Sequence, residues 1–138
     1  MLVMNSIVRN ILAVIAGIII GSIVNMGIIM LSSSIIPPPE GVNPADMDSI
    51  KSNMHLYEAK HFIMPFLAHA FGTLVGALIA TLLAASNNFA FAIAIGVVFL
   101  IGGIANIMML PSPMWFNVLD ITVAYIPMAY LGYKLVNR

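Results

Sequence analysis

Four long apolar stretches govern what this chain can fold into. Residues 11–31, 62–84, 89–110 and 114–133 are built almost wholly from Ala, Ile, Leu, Val, Met, Phe and Gly. Each reaches the roughly 20 residues that an α-helix needs to cross a hydrocarbon core about 30 Å thick. Lipid offers no partner to backbone N–H and C=O groups, so such stretches are expected to be helices, which satisfy those groups internally. Composition agrees, since 62% of the 138 residues are hydrophobic and only 7% are charged, against roughly 25% charged in a soluble domain. The expected fold is therefore all-α, an integral membrane four-helix bundle forming a single transmembrane domain over residues 1–138. The turns at 85–88 and 111–113 are too short for anything but antiparallel neighbours.

The first stretch carries a small-x-small pair, Ser32 and Ser34, of the kind that follows a cleaved signal peptide. Its apolar run is longer than the 7–15 residues of a signal core, so a retained anchor is expected. Arg9, Lys134 and Arg138 flank the terminal ends of the spans. The first loop, residues 32–61, mixes Lys51 and Lys60 with Glu40, Asp46, Asp48 and Glu58. The excess of basic residues near the termini places both in the cytoplasm. Trp115 then anchors at the outer interface. In the loop, Pro37-Pro38-Pro39 predicts a stiff extended exit. Asn43-Pro44 predicts the start of a short amphipathic helix, with Met47, Ile50, Met54 and Tyr57 on its apolar side. Such a helix is expected to lie on the membrane surface, or to act as a lid over a site.

Two patterns recur inside the spans. Gly21-Ser22-Ile23-Val24-Asn25 in the first matches Gly102-Gly103-Ile104-Ala105-Asn106 in the third. A shared Asn carries weight because polar side chains are costly in hydrocarbon. The match predicts two hairpins related by a pseudo-two-fold axis along the membrane normal, an arrangement that some transporters use. The second pattern is small residues every four positions: Ala13, Gly17, Gly21 and Asn25, then Gly72, Gly76, Ala80 and Ala84. Such stripes let helix backbones approach closely. Gly17, Gly21, Gly72, Gly76, Gly102 and Gly103 are the expected packing positions, within the bundle or against a partner helix.

Polar residues add a layer. At 1.5 Å per residue, Asn25 and Asp120 lie about 9 Å below the outer ends of their helices, His69 about 10 Å and Asn106 about 6 Å. All four spans thus place one polar side chain at a similar depth. A carboxylate near a helix centre costs about 2.5–3.5 kcal/mol, and one interhelical hydrogen bond returns only about 0.6. Asp120 therefore needs several partners, and His69 is the evident counter-ion. The layer predicts a polar pocket of Asn25, His69, Asn106 and Asp120, with His61 and Asn117 peripheral. Its alternative is an internal hydrogen-bond network that only fixes helix register. Pro127 removes the bond to the Val123 carbonyl and predicts a kink in the last span.

Much chemistry is excluded. Without cysteine there are no disulfides, thiol nucleophiles or thiolate-bound metals. Net charge is zero, which gives nucleic acid no electrostatic footprint. No metalloprotease helix, phosphate loop or nucleophile elbow is present. His61 and His69 are too far apart on one helix to share a metal, and no cofactor is expected. An intramembrane enzyme using His69 and Asp120 as acid and base would lack every motif that usually accompanies such chemistry. The remaining partners are the bilayer, a second copy, or another membrane subunit docked on the glycines.

The run Glu58-Ala59-Lys60-His61-Phe62, followed by Pro65-Phe66-Leu67-Ala68-His69-Ala70 and Gly72-Thr73, resembles small uncharacterised four-span (tetraspan) proteins of bacterial inner membranes. The resemblance covers most of the chain and implies a multi-pass protein of the bacterial plasma membrane, without implying an activity. Two functions are expected from these residues. One is a small transporter or ligand-binding protein with its pocket near the outer face. The other is a structural or accessory subunit whose glycine stripes pack a partner and whose polar layer is glue.

Overall fold

A computed structural model describes residues 4–138, and they form four helices long and apolar enough to cross a membrane. Helix α1 spans Ser6–Ile35, α3 Ile63–Leu83 and α4 Asn88–Met109, while the last span divides into α5, Met114–Val123, and α6, Ile126–Val136. A short helix α2, Met47–Ser52, and two 3₁₀ turns, Met54–Leu56 and Ala59–Phe62, lie between α1 and α3. The side carrying these short elements and the α4–α5 turn is called the loop side. The other is the terminal side.

Helix α1 outruns its apolar stretch at both ends. Asn5 caps it by accepting from the Ile7 N–H at 2.9 Å. At the far end the helix continues through Ser32, Ser33 and Ser34 until Pro37 forces Ile36 out of helical conformation (φ −128°, ψ 93°). The α3–α4 turn is tied to this helix. Arg9 Nε donates to the Leu83 carbonyl at 2.7 Å, and Asn10 Oδ1 accepts from the Ala85 N–H at 2.7 Å. Those bonds satisfy groups that the end of α3 and its turn leave open.

Helix α3 is the hub, packed by α1, α4 and α6. Its small residues make that possible. A Cβ on Gly17 would lie 2.6 Å from the Gly76 carbonyl, and one on Gly21 2.6 Å from the Gly72 carbonyl. The glycine stripes of α1 and α3 are therefore pressed into each other, backbone on backbone. Another face of α3 receives α6, where a Cβ on Gly132 would sit 2.6 Å from the Leu74 carbonyl. Gly96 of α4 plays the same part against Ala129 and the Tyr125 carbonyl. The core is correspondingly small-grained: Ala77, Ala80, Ala92, Ile95 and Ala129 are fully buried, with Val14, Ile18, Phe99 and Tyr133 around them. Ile11, Ile15, Ile19 and Ile23 of α1 remain exposed, as a face turned to lipid requires.

The expected kink is a full break. Ala124 and Tyr125 leave the helix between α5 and α6, and Pro127 sits in the first turn of α6, where its missing N–H costs nothing. The loop helix is shorter than the sequence predicts. Asn43 and Pro44 form a separate turn, in which Asn43 Oδ1 accepts from the Ala45 N–H at 3.0 Å. Asp46 is the true cap of α2, accepting from the Asp48 N–H at 3.0 Å. Asn and Asp compete equally well for this role, so the sequence offers two starts for one helix.

Candidate functional site

The break in the last span builds the site. Asp120 lies in the final turns of α5, and Tyr125 falls in the break five residues on. The unwound backbone turns the phenol back so that its O–H donates to Asp120 Oδ2 at 2.8 Å. Across the helix interface, His69 Nδ1 lies 2.9 Å from both carboxylate oxygens. The imidazole also stacks on the Tyr125 ring, centroids 5.8 Å apart and planes inclined by 27°. One turn further along α3, the Thr73 hydroxyl donates to the His69 carbonyl at 2.8 Å. Toward an ionised carboxylate, which only accepts hydrogen bonds, the two partners are donors: the phenol and, in its Nδ1–H tautomer, the imidazole. Asp120 is only 2% exposed, and these partners offset its burial as the cost of a carboxylate in hydrocarbon demands.

With Nδ1 committed to Asp120, Nε2 is the nitrogen left to His69. No protein group among the described residues bonds it, and it is not sealed off in the interior. The reason is a cavity of about 580 Å³ on the loop side, which His69 and Tyr125 line and Asp120 does not. The carboxylate therefore stands behind the imidazole and sets its orientation and tautomer, while the imidazole meets the space.

Other polar residues approach the same cavity. Asn25 of α1 and Asn106 of α4 both line it, and among the described residues neither side-chain amide has a hydrogen-bond partner. His61 lines its loop-side end. His61 Nδ1 accepts from the Glu58 N–H at 2.8 Å, which fixes the turn leading into α3. Pro65 lines the wall between the two histidines. The roof is the first loop: Pro38, Pro44, Met47, Ile50, Met54 and Tyr57 all face the cavity. The loop's apolar side thus faces the cavity. Burial raises the pKa of the Tyr57 phenol, so that it stays a neutral donor and acceptor.

The sequence-predicted pocket residues consequently divide. His69 and Asp120 pair directly, whereas Asn25 and Asn106 flank the space without touching that pair. His61 is a cavity residue as well as a cap. Asn117 is spent locally, accepting from Ser112 Oγ at 2.7 Å and closing the α4–α5 turn, and it does not line the cavity. Gly102 is not a packing position. A Cβ there meets nothing within 4 Å, because this residue also lines the cavity. Its neighbour Gly103 does pack, and any Cβ would overlap the Tyr125 phenol ring. Tyr125 is the site residue that sequence reasoning misses. The signal lay in Pro127, whose break redirects the phenol. Among the described residues no three His, Asp or Glu side chains converge as a metal site would need. Comparison with protein-family models, with curated proteins and with solved structures finds no match to this chain.

Proposed function

We propose that this chain is a small ligand-binding protein of the bacterial plasma membrane, with His69 as the group that contacts the ligand in the loop-side cavity. Carriage of that ligand across the bilayer is the transporter form of the same reading. One observation carries it: the imidazole is oriented by a buried carboxylate and turned toward an open, roofed cavity. Hydrogen-bond glue explains why Asp120 and Tyr125 are buried and paired. It does not explain why His69 faces space, or why two asparagine amides beside that space have no partners among the described residues. The accessory-subunit reading loses its docking surface, since Gly17, Gly21, Gly72 and Gly76 are already engaged inside the molecule.

Orientation and origin belong to the same proposal. Three of the five basic residues, Arg9, Lys134 and Arg138, flank the terminal side, which puts the termini in the cytoplasm and the cavity toward the outside. The shared Gly-x-Ile-x-Asn is read as the trace of a duplicated hairpin, supported by Asn25 and Asn106 both lining one cavity.

The test is chemical access to His69. Diethyl pyrocarbonate, a small uncharged reagent, is expected to modify His69 in the folded, lipid-embedded protein, as located by peptide mass spectrometry. Asp120→Asn offers one oxygen and one amide group where two donors need acceptors, so the imidazole loses its fixed tautomer. Its modification rate should then change by about tenfold or more, the scale on which hydrogen bonds to charged groups act. A His69 that stays unmodified until the protein is unfolded would show a dry structural pair and end the proposal.

A further inference from the structure

The cavity's lining identifies what enters and from where. Among the described residues no Asp, Glu, Lys or Arg side chain lines it; its polar groups are imidazoles, amides and hydroxyls. A site for a phosphate, a carboxylate or an ammonium would present an opposite charge, because the low dielectric makes an unpaired ion costly. Uncharged donors and acceptors suit uncharged oxygens instead. The rest of the lining is apolar and includes Ile29 of α1, Ile36 just past its end, Phe99 of α4, Leu110 just past its end, and Phe116.

The walls also leave a side open. Helices α1 and α4 meet where Ile95 Cδ1 and Phe99 Cζ would lie 3.0 and 2.9 Å from a Cβ on Gly17 and Gly21. About one turn nearer the loop side the same two helices flank empty space. Met26 lines the cavity and is 55% exposed. Gly102 of α4 also lines the cavity, is exposed and has nothing within 4 Å of its Cβ position. The first loop lays Pro38, Met47, Ile50 and Met54 over the loop-side end, while Met26 and Gly102 lie within helices long and apolar enough to cross a membrane. The volume of about 580 Å³ is about twenty times the roughly 30 Å³ of a water molecule. That is room for a small head group with part of an apolar chain.

Resting on the ligand-binding reading above, we propose that the ligand is an uncharged amphiphile from the bilayer, an acyl-type chain with a hydroxyl or carbonyl head. It enters laterally between α1 and α4, and its head meets His69, Asn25 and Asn106.

The chain has no cysteine, so a single thiol reports on one place. Asn106→Cys, in liposomes, is treated with pyrene maleimide dissolved in the lipid or with a sulfonated maleimide confined to water. Lateral entry predicts labelling by the lipid-borne reagent at least tenfold faster than by the aqueous one. Adding Gly102→Trp, which grows into open space and spares the fold, should block the lipid-borne reaction. A Val97→Trp control on the exposed face of α4 should not. 1-Monooleoylglycerol should slow labelling at least fivefold, whereas oleate and lysophosphatidate should not. Faster labelling from water overturns lateral entry and leaves the cavity intact. Equal protection by the charged amphiphiles overturns the neutral ligand. A thiol that reacts with neither reagent until unfolding removes the cavity, and both proposals with it.

Discussion

Adjacent glycines on α4 have opposite duties. Gly103 is pressed against the Tyr125 ring and Gly102 borders open space. Gly103→Ala should therefore destabilise the protein by about 1–3 kcal/mol, the usual cost of forcing atoms into a packed interior. Gly102→Ala should be neutral or slightly stabilising, because it exchanges a poor helix former for the best one. Thermal unfolding in detergent, followed by Trp115 fluorescence, separates the two. A similar fall for both would mean that the cavity collapses onto Gly102. At this scale the candidate pair was half legible. A lone Asp in an apolar span demands partners, and His69 at matching depth was the evident one. Tyr125 was hidden because five residues along an intact helix place two side chains on different faces. Only the unwound turn brings its hydroxyl to Asp120.

Among the elements, α1 stands apart. It joins the bundle mainly through the glycine contact with α3, and most of its surface faces outward. Gly76→Leu should separate these helices, since even one carbon at Gly76 would lie 2.8 Å from the Gly17 carbonyl. A spin-label pair placed on the terminal ends of α1 and α3 should report a longer, broader distance distribution, while the packing of α3 on α6 survives. An unchanged distance would show that α1 is held from elsewhere. The stripes themselves were plain in the sequence, and so was their purpose. What they pack against was not, because a small-residue face serves a neighbour in the chain or a second protein equally well.

For the whole molecule, the site depends on the fit between a bundle and its roof. The roof hangs from the His61–Glu58 turn and lays methionines over the cavity. His61→Ala removes the acceptor for the Glu58 N–H and should free the roof without disturbing the His69–Asp120 pair. Hydrogen exchange should then rise across residues 46–62 and stay low in α3. Aqueous maleimide should reach a Cys at position 106 several-fold faster than in the parent. Exchange that rises equally in α3 would instead mean that the turn supports the bundle as a whole.

The chain's medium, its four spans and their antiparallel order were determined by sequence alone, because hydrocarbon admits little besides uninterrupted helices and short turns dictate direction. The depth of the polar residues was equally a matter of counting. Tertiary structure decided which of them share a space. Depth gives height along the membrane normal, but the azimuth of each side chain depends on how closely neighbouring backbones approach and where a helix breaks. The Gly17–Gly76 contact and the Pro127 break set those two quantities. They place Asp120 behind His69, turn Tyr125 inward and leave Asn25 and Asn106 facing a cavity that no periodicity in the sequence could show.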